Sequence, residues 1–125
     1  MIAHKIFCVH SGLSKKIQKI GEMAAVERRG ALISEEVVWD VVQNNPTEEH
    51  GWHYGIKGEN MSFGPDIVEE FNHQNNIDLI CRAHQIQPEG YTTMFDGALV
   101  SIWSAPNFCN RHGNKGAILE IDENL

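Results

Sequence analysis

The sequence is short of cysteine, of basic clusters and of long apolar runs. Its three cysteines, Cys8, Cys81 and Cys109, are odd in number and widely spaced. That argues against a disulfide framework and for a reducing compartment, cytoplasmic or nuclear. Basic residues gather only at Lys15-Lys16 and Arg28-Arg29, and the net charge is −7. Neither nucleic acid nor an anionic membrane surface is therefore expected as the main partner. No apolar stretch approaches the ~18 residues of a membrane-spanning helix, and the N-terminus lacks the basic, apolar and small-residue order of a signal peptide. Internal repeats and low-complexity segments are also missing. What is present is modest: 125 residues, 42 % hydrophobic and 22 % charged, room for one domain at most. The opening "MIAHKIFCVH" puts a strand-like run almost at the first residue, which suggests a fragment.

Apolar patterning predicts a mixed α and β chain. Residues 5–9, "KIFCV", read as a buried strand. Residues 14–29 read as a helix capped by Ser14, with Ile17, Ile20 and Ala24 recurring at three and four. Residues 35–42, "EEVVWDVV", suit a short helix or a strand equally, and 43–62 read as a long irregular loop. Gly64-Pro65 opens a helix over 65–74, with Pro65 in its first turn and acidic residues near its positive end. A second strand is expected over 77–82. Asp96-Gly97 signals a two-residue hairpin between 91–95 and 98–103. Residues 104–114 read as a loop and 117–122, "AILEID", as a last strand.

Two histidines follow predicted strands. His10 stands before Ser11-Gly12, and His84 follows Ala83. Imidazoles at one sheet edge can share a metal ion, since neutral histidine is a common nitrogen ligand. Two unrelated histidines, each satisfied on its own, fit the spacing as well. Cys8-x-His10 and Cys81-x-x-His84 together also imitate a small Cys/His zinc module, although both thiols sit inside apolar runs, where cysteine usually acts as a small hydrophobe. Lys57, among glycines in the long loop, suits either a phosphate or solvent.

Taken together, "FCVHSGLS", "NIDLICRAHQ" and "WSAPNFCNRHGNKGAILEIDEN" resemble the serine/threonine protein phosphatases of the phosphoprotein phosphatase family, nearest the type 2A-like subfamily that includes types 4 and 6. The resemblance is strongest over 63–124. It implies an α+β fold, the C-terminal half of a metallophosphoesterase β-sandwich with flanking helices, occupying 1–125 as part of one domain. It implies hydrolysis of phosphoserine and phosphothreonine esters at a two-metal centre, phosphoprotein substrates and regulatory subunits. It assigns His10 and His84 to one divalent ion, Mn, Fe or Zn. The family's earlier blocks, of the form GDxHG, GDxVDRG and GNHE, have no counterpart here. They carry the remaining metal ligands, the general-acid histidine and one phosphate-binding arginine, so at most a half-built site is expected and activity of this chain alone is not.

Three departures bear on catalysis. "GWHYGIKG" places Lys57 where the family has a phosphate-binding arginine, and lysine cannot form a bidentate fork. "SAPNFC" places Phe108 where the family has an active-site tyrosine. "WDVV" at 39–42 displaces or loses an acidic residue. Ser11 stands in place of a glycine, acceptable only if the turn there needs no positive φ. These changes also suit a non-enzymatic pseudophosphatase fragment that acts through protein contacts.

Overall fold

A computed structural model describes residues 1–26, 36–55 and 60–125. Its centre is a four-stranded sheet of β1 (Ile6–Cys8), β5 (Leu79–Arg82), β7 (Leu99–Ile102) and β6 (Tyr91–Met94), in that order. The first three strands run parallel and β6 is antiparallel. Register places Phe7 beside Ile80 and Ile80 beside Leu99. These apolar side chains share one face, because side chains alternate along a strand. The helix α2 (Pro65–Asn75) contributes Val68 and Phe71 to the same cluster, with Leu13, Phe63 and Ile77.

A smaller sheet orders β2 (Asn45–Pro46), β4 (Met61–Phe63) and β3 (Trp52–Tyr54). These strands occupy the region expected to be irregular. At two or three residues each they are too short to show a period, and much of their order comes from a side chain: buried Asn44 accepts from the Met61 N–H at 2.7 Å and donates to the Leu13 carbonyl at 2.9 Å. The segment 35–42, undecided from sequence, is helical over α1 (Glu36–Gln43).

The helix expected over 14–29 is not formed in its described part, apart from a 3₁₀ stretch at Ile20–Ala25. Leu13 and Ile17 are drawn into the core, and Asn75 of α2 replaces the helical partners. It accepts from the Ile20 N–H and donates to the Gln18 carbonyl, both at 2.8 Å. The hairpin is wider than two residues, since Met94 pairs with Leu99. Phe95, Asp96 and Gly97 all take positive φ between them. The final strand over 117–122 is not formed either. Ala117 bonds back to Trp103 at 3.0 Å, but the chain then leaves the sheet and Ile118 is 79 % exposed. Among the described residues no helix is long and apolar enough to cross a membrane.

Candidate metal centre

The parallel pairing of β1 and β5 continues past both strands. Val9 N–H donates to the Cys81 carbonyl and Ala83 N–H to the His10 carbonyl, each at 3.0 Å. This brings the next side chains together. The His10 and His84 ring centroids lie 5.2 Å apart, edge to face at 65°. His84 takes φ +70°, a left-handed conformation rare for a residue with a Cβ, and such strain gathers at functional sites. Burial, then the charges of His10 and Arg82, lower the His84 pKa. The neutral ring, whose nitrogen lone pair can bind a cation, is thereby favoured.

Behind the pair lies Arg82, only 2 % exposed. Its Nη1 donates to Gln85 Oε1 at 2.6 Å and Ser101 Oγ at 3.2 Å, and its Nη2 to Asn45 Oδ1 at 2.9 Å and Ser11 Oγ at 3.4 Å. All four acceptors are neutral, and among the described residues nothing accepts from the buried Nε. Burial pulls the guanidinium down to about 10, still protonated at neutral pH. A buried cation ringed by neutral acceptors contributes positive potential to the site.

The His10 turn also explains "HSGLS". Ser11 does not adopt a positive φ, so the serine is accommodated. Its hydroxyl donates to the Asn44 carbonyl at 2.6 Å. Gly12 is the constrained position: a Cβ there would come within 2.4 Å of both the Asn44 carbonyl oxygen and the Phe63 ring. Asp40 of "WDVV" is buried and accepts from the Ser14 hydroxyl at 2.6 Å, which ties α1 to the same turn.

The other expected site residues fall elsewhere. Phe108 sits with its ring 4.8 Å from Trp103, edge to face, and 6.0 Å from His112. Lys57 lies outside the described residues. The Cys/His zinc module is not supported: no three histidine, cysteine or acidic side chains converge among the described residues. Cys8 and Cys81 pair with each other in register instead. The histidine pair suits a divalent cation in donor type, as two imidazoles of one partial coordination sphere.

Residues 1–88 match the model of the calcineurin-like phosphoesterases. The chain belongs to that family. Metal dependence is the family's common property. The whole chain is 46 % identical to the Candida glabrata serine/threonine-protein phosphatase 4 catalytic subunit and spans 40 % of that protein's length. Among solved structures it superposes, with a TM-score of 0.82 and 25 % identity, on a Saccharomyces cerevisiae protein serine/threonine phosphatase with similarity to human phosphatase PP5. That match covers 91 % of this chain and 36 % of the other. Within the family the chain groups with the type 2A-like serine/threonine phosphatases and corresponds to their C-terminal half. The α+β expectation agrees with these relationships.

Proposed function

We propose that residues 1–125 form part of a phosphoserine/phosphothreonine protein phosphatase domain and supply one side of its metal centre. His10 and His84 are two ligands of one divalent ion, Mn, Fe or Zn. Lewis acidity toward a phosphoryl oxygen is what such an ion contributes to phosphate ester hydrolysis. This chain's own share is to hold two imidazoles in place, through the paired strand ends and the positive φ at His84, with burial and the charges of His10 and Arg82 opposing protonation of His84. The reading rests on one observation above the others, the 5.2 Å approach of the two rings. Phosphoproteins are the proposed substrates, with regulatory subunits as further partners and a cytoplasmic or nuclear setting.

Two imidazoles provide neither a second ion nor a general acid, and phosphoryl transfer depends on charge positioned around the transferred group. The chain alone with Mn²⁺ is therefore expected to hydrolyse an aryl phosphate no faster than its His10→Ala, His84→Ala variant. Binding is the positive test. Added Mn²⁺ should broaden the His10 and His84 ring resonances first, and either alanine substitution should remove this, while His112→Ala should not. Broadening centred on other histidines would overturn the assignment. If the remaining blocks of a catalytic domain are supplied in frame, Lys57→Arg with Phe108→Tyr should raise turnover, by restoring a fork and a phenol toward the phosphate.

The second reading, a non-enzymatic fragment that acts through protein contacts, is favoured by Lys57 and Phe108 themselves. It predicts that the two restorations leave turnover unchanged.

A further inference from the structure

Cys8 and Cys81 are directly opposed on neighbouring parallel strands. In-register partners in a parallel pair project from the same face, and neighbouring strands run about 4.8 Å apart. That spacing falls inside the window of roughly 4.4–6.8 Å between Cα atoms in which a disulfide can close. Both cysteines are free thiols. Both open onto a groove of about 400 Å³ lined in part by Ile2, Ile6, Ile102 and Leu119. This is the face opposite the Phe7–Ile80–Leu99 core. Cys8 is exposed and Cys81 partly so, which means a small reagent can reach the pair without unfolding the sheet.

We propose that Cys8 and Cys81 are a reversible dithiol–disulfide site, oxidised by hydrogen peroxide or an alkyl hydroperoxide. Cys8, the more exposed thiol, meets the oxidant. Its sulfur takes one oxygen of the peroxide as the O–O bond breaks, leaving a sulfenic acid and releasing water or an alcohol. The Cys81 sulfur then attacks the sulfenic sulfur. The S–S bond forms, the S–O bond breaks and a second molecule of water leaves, so two electrons have passed from the sulfurs to the peroxide. A dithiol reductant returns two electrons and two protons. An exposed bond of this kind belongs to the labile, regulatory class of disulfides, not the structural one. It would clamp β1 to β5 immediately before the His10 and His84 exits. The site does not depend on those histidines binding a metal.

The test uses the whole chain. After treatment with a small excess of hydrogen peroxide, free thiols are alkylated under denaturing conditions and the protein is weighed intact and mapped with trypsin. Wild type should lose 2 Da and keep one alkylatable thiol of its three cysteines. Peptide 6–15 should be linked to peptide 58–82, and dithiothreitol should restore all three thiols. Cys8→Ser and Cys81→Ser should each abolish the 2 Da loss, and Cys109→Ser should retain it. The wild-type map decides the matter even if a variant folds poorly. A link through Cys109, a link only between chains, or Cys8 carried to sulfinic acid with no 2 Da product would each overturn the proposal.

Discussion

At the scale of single residues, the turn after β1 separates a replaceable glycine from an irreplaceable one. The first position tolerates a side chain because its φ stays negative, and Ser11 uses its hydroxyl to satisfy a buried carbonyl. The second has no room. The obstacles at Gly12 are a backbone oxygen and an aromatic ring in the core, neither of which moves cheaply. Gly12→Ala should therefore destabilise the chain by about 2–3 kcal/mol, at the upper end for overpacking. Ser11→Gly should cost about 1–2 kcal/mol, from the loss of the hydroxyl's bond to the Asn44 carbonyl, of its longer bond from Arg82, and from a more flexible backbone. Urea denaturation of the two variants side by side checks the ordering. Equal costs would mean that the loop shifts to admit the methyl group.

Between elements, Asn75 links α2 to the segment that precedes its 3₁₀ stretch. Its side chain accepts from Ile20 N–H and donates to the carbonyls of Gln18 and Phe71. Asn75→Ala leaves the Ile20 N–H and the Gln18 carbonyl without this partner, while the Phe71 carbonyl keeps its helical bond, and should cost about 1–2 kcal/mol. The Ile20 amide should lose its protection against hydrogen exchange, while amides of β5 and β7 keep theirs. Uniform loss across the sheet would show that the segment is no separate layer.

The same elements show what patterning reveals and what it hides. The buried strands around Phe7, Ile80 and Leu99 were legible because apolar runs bounded by polar residues leave little else to form. The start of α2 was legible because Gly64-Pro65 dictates a helix opening. The recurrence of Ile17, Ile20 and Ala24 misled, because side-chain bonds from a residue 55 positions away from Ile20 outweigh a weak local preference. The residues 117–122 alternate like a strand but have no ladder partner among the described residues. In the site, both histidines were visible as strand exits. Arg82 was not singled out, although a period of two places it on the face of Ile80, which is fully buried. An arginine two residues after a core position in a buried strand is the signal that could have found it.

For the whole molecule, the two faces of the sheet are unequally covered. The core cluster and α2 cover the Phe7–Ile80–Leu99 side. On the other side Ile6 and Val100 are buried, but Cys8, Cys81 and Ile102 line the open groove, and Ile2, Ile118 and Leu119 are exposed beside it at 40 %, 79 % and 43 %. Apolar surface gathered in one place promotes self-association. A chain that spans 40 % of its relative's length also has a small core for its surface, so its folded state should be marginal. At tens of micromolar the isolated chain should therefore sediment as a distribution of oligomers, bind a hydrophobic dye such as ANS and melt broadly. Ile118→Lys with Leu119→Lys should shift the distribution toward monomer without disturbing the packed face, since neither side chain belongs to the core cluster. A wild-type chain that sediments as a single monomer and melts in one sharp cooperative step would show that the exposed face is self-sufficient, and that the apolar residues around the groove are too dispersed to drive association.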